Sequence, residues 1–233
     1  MANNLNSNVP IHLGIILDGN RRWARENGLT VAEGHRQGYL NFKTITKAAM
    51  KRGVKYLSAF VFSNENWQRE KSEVRDIMKI MVWVLKHEVK ELHKEGIRVR
   101  IIGSKMRFGA AMLRAILHAE ELTKDNTRGT LLLCLDYGGQ QEIVEAVKRI
   151  AISGIDPEDI TPELITHHLY APDVPPLDLI IRTSGEQRLS NFMLWEAAYS
   201  ELAFTKTYWP DFSEKDLQAV LDNYAQSRRR FGA

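Results

Sequence analysis

The chain has 233 residues, 44% of them hydrophobic and 26% charged, an ordinary globular composition with ample material for a core. A net charge of +3 is too small to imply a nucleic-acid partner, and one cysteine excludes an internal disulfide and fits a reducing compartment. No signal-peptide pattern opens the chain, and no apolar run approaches the roughly 20 residues that span a bilayer.

Residues 1–10 are polar and Asn-rich and are expected to form a flexible N-terminal segment; residues 11–233 read as one domain. Short apolar runs predict buried strands over 13–17, 56–62, 99–102, 131–135 and 177–181. Helical periodicity predicts helices over 41–52, 72–95, 110–122, 140–151, 162–169 and 213–231. The helix over 72–95 is the clearest, with Ser72 as its cap, an apolar stripe from Val74 to Leu92, and Gly96 as its stop. The alternation of fully apolar strands with helices predicts an α/β fold, a central parallel sheet flanked by helices.

Ligands of such sheets bind beyond the carboxyl ends of the strands. The first strand is followed by Asp18, Gly19, Asn20, Arg21, Arg22 and Trp23, at the start of a further helix. A turn of this kind brings backbone N–H groups, guanidinium groups and one hard oxygen ligand together, which suits a magnesium-bound diphosphate. No Gly-Lys-Ser/Thr follows, so it is not a P-loop. The second strand leads into Ser63, Asn64, Glu65, Asn66, Trp67 and Arg69, the fourth into Asp136, Tyr137, Gly138 and Gly139, and the fifth into Arg182, Thr183, Ser184, Gly185, Glu186, Arg188 and Ser190. Taken singly, each has a plainer reading. Asp18 serves equally as a helix cap, the arginines as a solvated face, His35 as a structural histidine, and Cys134, Met78 and Met81 as core. The joint placement on four strand ends favours phosphate chemistry, because guanidinium forks match phosphate oxygens.

Three segments carry a resemblance: His12 to Trp23, Phe62 to Trp67 and Arg182 to Phe192. Together with Trp209-Pro210-Asp211-Phe212 and Arg230-Phe231-Gly232, they resemble the cis-prenyltransferases over nearly the whole chain. The resemblance implies a homodimeric α/β enzyme that condenses isopentenyl diphosphate with an allylic diphosphate, using Mg2+, to give a (poly)prenyl diphosphate of the undecaprenyl type. It assigns catalytic roles to Asp18, near magnesium, and to Asn66, in proton removal. Gly19, Asn20, Arg21, Arg22 and Trp23 would surround the allylic diphosphate, with His35 nearby. Ser63, Asn64, Glu65, Trp67 and Arg69 belong to the motif around Asn66. Arg182, Arg188, Leu189 and Ser190 would hold isopentenyl diphosphate. Glu201 would be a second acidic metal position, and Arg230 and Gly232 belong to a tail that reaches the partner's site. Location in the cytoplasm, with membrane contact through the lipid product at the inner membrane surface, follows from the same resemblance.

The chain departs from the family pattern in several places. Val31 replaces a frequent arginine, Gln140 another, and Asp136 a frequent asparagine; Arg21 stands where glycine is common, and offsets the charge missing at Val31. Val61 is bulkier than the small residue many long-chain members carry, which points to a shorter product. A short- or medium-chain synthase, a branching or cyclising one, and a non-catalytic partner subunit of the same fold are the alternatives. A phosphohydrolase would need a second acid beside Asp18, and an RNA-binding module a basic stripe with stacking aromatics; neither pattern is present.

Overall fold

The computed structural model describes residues 9–227. Six strands form one sheet: β1 (His12–Ile16), β2 (Tyr56–Ser63), β3 (Ile97–Ile102), β4 (Gly129–Tyr137), β5 (Leu179–Arg182) and β6 (Glu201–Phe204). They lie in the order β3-β4-β2-β1-β5-β6, and every pair is parallel. β1 is central because its five residues are buried on both faces. The chain leaves β1 toward β2 on one side and returns through β5 on the other, so the order reverses at β1. That reversal opens a crevice at the carboxyl ends of β1 and β5. The register places Ile16 beside both Phe60 and Arg182, which brings the next residues of all three segments together.

Two apolar clusters cover the faces of the sheet. Along β4, Leu131, Leu133 and Leu135 join one and Leu132 and Cys134 the other, the alternation a pleated strand requires. Buried Cys134 is therefore core. Val9 packs against the first cluster and Pro10 is buried, so the folded domain includes both.

The helices are α1 (Asn20–Glu26), α2 (Val31–Lys51), α3 (Lys71–Trp83), α4 (Val89–Lys94), α5 (Ala110–Thr123), α6 (Gly139–Ser153), α7 (Pro162–His167) and α8 (Glu214–Gln226). α2 begins ten residues before the sequence expectation. Thr30 and Glu33 form a reciprocal capping box there. The early turns lack an apolar stripe because they pack closely on α1 through glycine: a Cβ on Gly38 would lie 2.1 Å from Asn20 Oδ1. The helix expected over 72–95 is interrupted by a π-helical turn at Val84–Glu88, and Ser72 lies inside α3 rather than at its cap. Ile77, Met81, Leu85 and Val89 are all buried at a spacing of four. A pure α-helix drifts off one face at that spacing, and a wider turn absorbs the drift. β6 was not expected; it is four residues long and alternates half-buried with exposed positions.

Candidate active site

Asp18 lies two residues beyond β1. Its main chain is fixed from two sides, by Thr183 Oγ1 donating to its carbonyl at 2.6 Å and by Trp209 N–H at 3.0 Å. Arg182 Nη2 donates to carboxylate Oδ2 at 2.8 Å, while Oδ1 lies 3.6 Å from Arg22 Nη2, beyond hydrogen-bond length. The guanidinium of Arg182 also donates through Nη1 to Ser190 Oγ at 2.7 Å and to the Arg188 carbonyl at 2.5 Å. One buried arginine at the end of β5 thus joins the first loop to the last. Its Nε is buried with no partner among the described residues, although Arg182 lines the cavity described below. A buried N–H without an acceptor costs about 1–3 kcal/mol, and an anionic oxygen offsets that cost.

Around this centre, Arg22 donates to Ser184, and its Nη1 lies 3.4 Å from Glu186, which also pairs with Arg188. Arg22 also sits over the Tyr208 ring at 5.6 Å. Ser184, Ser190 and Asn191 all have positive φ, a conformation that costs energy in non-glycine residues and recurs at functional sites. Glu73 gathers the basic groups on the other side: Arg69 at 2.9 Å, the His35 imidazole at 3.3 Å and Arg21 at 3.8 Å. Burial holds the His35 imidazole below its usual range, against the opposing pull of Glu73.

The second loop is a short 3-10 turn, Asn64–Gln68, closed by Ser63 and Asn66 bonding each other's backbone. Asn66 Oδ1 accepts from Ser63 N–H at 3.2 Å, and its side chain faces the cavity. Glu65 accepts from Asn191 Nδ2 at 3.2 Å. Trp67 points instead toward β4, where its Nε1 donates to Asp136 at 2.8 Å.

A cavity of about 640 Å³ opens at these groups. Asp18, Asn20, His35, Ser63, Asn66, Arg69, Arg182 and Ser190 line its polar end. Phe42, Val61, Ile77, Met81, Leu85 and Leu133 carry it inward between α2, α3 and the sheet. The stripe from Ser72 to Glu95 thus does both jobs, core on one edge and cavity wall on the other.

The structure does not bring every expected residue to the site. Trp23 turns away, its Nε1 bonded to Asp211 at 2.8 Å, and holds the turn after β6. Leu189 packs against the second apolar cluster. Glu201 pairs with Leu179 at the start of β5, three residues from Arg182 and toward the opposite end of the strands, so it does not join Asp18 within this chain. Among the described residues no group of three or more His, Cys, Asp or Glu is arranged to hold a metal. A single carboxylate oxygen clear of hydrogen-bond contact, beside a diphosphate pocket, fits magnesium, which commonly takes one or two carboxylates plus substrate phosphates. Arg230 and Gly232 lie outside the described residues. Glu73 and Arg107 were missed; Asp136 was among the strand-end residues singled out in the sequence, without a role, and it lies inside β4 rather than beyond it.

The model of a family described as "putative undecaprenyl diphosphate synthase" matches residues 16–232. An isoprenyl transferase of Clostridium perfringens is 46% identical over 96% of this chain and 90% of its own length. The crystal structure of lavandulyl diphosphate synthase from Lavandula x intermedia, in complex with dimethylallyl diphosphate, superposes with a TM-score of 0.94 at 39% identity, covering 97% of this chain and 99% of that one. A probable undecaprenyl diphosphate synthase from Campylobacter jejuni superposes with a TM-score of 0.83 at 28% identity, over 97% and 100%.

Proposed function

The chain belongs to the cis-prenyltransferase family, and from that premise we propose that it condenses isopentenyl diphosphate with an allylic diphosphate, with a polyprenyl diphosphate of the undecaprenyl type as the product. The observation that carries this is the shape of the cavity: a polar mouth with an unpaired buried guanidinium N–H, continuous with an apolar interior.

Breaking the allylic C–O bond builds negative charge on the departing diphosphate. Arg22 and the N–H groups at the start of α1 stand where that charge would be stabilised as it develops. Asp18 would hold Mg2+, which when bound neutralises diphosphate oxygens. Positive charge on the allylic carbon is delocalised by the neighbouring double bond, so no protein nucleophile is needed. Arg182, Arg188 and Ser190 would orient the second diphosphate, and the link from Arg182 to Asp18 would set the two headgroups side by side. Asn66 would assist loss of the proton from C2 of isopentenyl diphosphate. The growing hydrocarbon would enter the apolar part of the cavity, where burial stabilises each added unit.

A homodimer is part of the proposal. β6 is an edge strand whose outer side exposes Leu202 and Phe204, with Tyr199 beside it, a surface that a second copy would cover. No helix among the described residues is long and apolar enough to cross a membrane. We place the enzyme in the cytoplasm, touching the membrane surface through its lipid product.

Transfer of radiolabel from isopentenyl diphosphate to geranyl, farnesyl and geranylgeranyl primers tests the reading. Label is expected in prenyl products only with magnesium; no incorporation with any primer overturns it. The closer superposition on lavandulyl diphosphate synthase favours a second reading, a short or branched coupling. Incubation with dimethylallyl diphosphate alone distinguishes a branched coupling of two allylic units, because product then forms without isopentenyl diphosphate; a short regular coupling still needs it and shows as a short product.

A further inference from the structure

β4 ends in a turn that none of the assigned substrate contacts uses. Asp136, its second-last residue, is buried and has a φ of 50°. Its carboxylate accepts from Arg107 Nε at 3.1 Å, from Arg107 Nη2, and from Trp67 Nε1 at 2.8 Å. The same guanidinium lies over the Trp67 ring at 5.1 Å and donates to Asn64 Oδ1 at 3.3 Å. Asp136 and Arg107 thereby clamp the loop that carries Ser63, Glu65 and Asn66.

Three residues beyond Asp136, the turn grips the other loop. Gly139 N–H donates to the Asn191 carbonyl at 2.7 Å, and Gln140 N–H to Asn191 Oδ1 at 2.8 Å. Between the two grips sits Gly138. A Cβ there would lie 2.7 Å from Asn191 Nδ2 and 2.9 Å from Asn64 Nδ2. The two loops also meet directly, Asn191 Nδ2 donating to Glu65 at 3.2 Å. Asp136, Gly138 and Arg107 do not line the cavity, whereas Ser63, Glu65, Asn66, Ser190 and Asn191 do.

We propose that the turn from Asp136 to Gln140 is a spacer that fixes the separation of the Asn66 loop from the Ser190 loop, with Asp136 and Gly138 as positioning residues for isopentenyl diphosphate. This rests on the assignment of that substrate to the Arg182 and Ser190 side. Asp136 supplies a charge that holds Arg107 in two-pronged contact, and Gly138 supplies the absence of a side chain. Of Gln140 only the backbone N–H is needed, and its side chain is exposed, so the identity of that side chain is dispensable for this role. The turn bonds the Asn66 and Ser190 loops directly and reaches the Asp18 loop at one remove, through Ser190 and Arg182, so the allylic half of the site is expected to feel it less.

Steady-state kinetics of full-length wild type, Asp136→Asn, Asp136→Ala and Gly138→Ala, varying each substrate in turn, test the proposal. Misplacement of a positioned group by an ångström costs up to about a hundredfold, so KM for isopentenyl diphosphate is expected to rise about tenfold or more in Gly138→Ala and Asp136→Ala. Asp136→Asn keeps an acceptor for Trp67 and is expected to fall between these and wild type. KM for the allylic primer should stay within about twofold, a split that loss of folded protein alone does not produce. Should Asp136→Ala fail to fold, Gly138→Ala decides. An unchanged KM for isopentenyl diphosphate in Gly138→Ala, or a parallel rise in both KM values, overturns the spacer. A wild-type chain that transfers nothing overturns the catalytic reading and this inference with it.

Discussion

Arg182 shows how much a single side chain settles. It touches Asp18 with one nitrogen and Ser190 with another, so both diphosphate sites depend on its fork. Lysine offers one point charge and no fork. Arg182→Lys is expected to lower kcat/KM about a hundredfold in a radiolabel assay, with the melting temperature changed by only a few degrees. Arg21 is a smaller case. It is half exposed and shares Glu73 with His35 and Arg69. If it offsets the charge missing at Val31, Arg21→Gly weakens allylic substrate binding; unchanged affinity would remove Arg21 from the site. Behind the sheet, Glu142 and Glu196 lie buried close together, Glu142 accepting from Tyr137 Oη and from Tyr170 N–H at 2.8 Å. Burial first, then the charge of Glu142, pushes the Glu196 carboxyl up to about 8. A folded-state value above the unfolded 4.5 means that its stability contribution is fully present below about pH 4.5 and is lost as the pH rises toward 8. Glu196→Gln is therefore expected to melt higher than wild type, by a margin that grows between pH 6 and pH 9, and melts at three pH values check it. Asp18 and the arginines were legible at this scale because loop charges after apolar runs stand out. Glu73 and Glu142 were not, because an acid in a helix's first turn reads the same whether it faces solvent, a cluster of basic groups or buried hydrogen-bond donors.

Elements repeat the contrast. Four strands were legible because runs buried within the sheet are largely apolar, and β3, an edge strand, because Ile97, Val99 and Ile101 alternate with arginines before Ile102. β6 was not, because an edge strand with one exposed side needs only alternate apolar residues, and four residues are too few to show the alternation. The N-terminal half of α2 was hidden by glycines that pack on α1, although its Thr30–Glu33 capping signal was there to read. That cap fixes the turn that presents His35. Thr30→Ala removes the acceptor for Glu33 N–H and is expected to cost about 1 kcal/mol of stability in urea unfolding. Gly there should cost less than Ala. The π turn between α3 and α4 was invisible for another reason: a four-residue repeat fits a helical stripe well enough, and only the strict repetition over Ile77, Met81, Leu85 and Val89 betrays the wider turn.

At the scale of the whole molecule, the reversal of strand order at β1 makes the crevice, and α2 and α3 roof it on one side into a cavity. The polar end of that cavity was legible in the sequence; its depth was not, because depth depends on which faces of two helices meet the sheet. Val61 of β2 lines the side wall. Phe42, Leu85 and Leu133 stand further in, and they also wall a second space of about 30 Å³ that reaches Thr46. Phe42 thus walls both spaces, whereas Val61 lines only the large one. An elongating prenyl chain is an apolar body that gains about 25 cal/mol for each Å² buried, so it extends until a side chain blocks it. Removing the block joins the two spaces; removing side-wall bulk only widens the first. Chromatography of products from one primer should show longer chains for Phe42→Ala than for wild type, and a smaller shift for Val61→Ala. The reverse ranking would place the stop at β2, and no lengthening in either variant would show that chain length is set before the hydrocarbon reaches these walls.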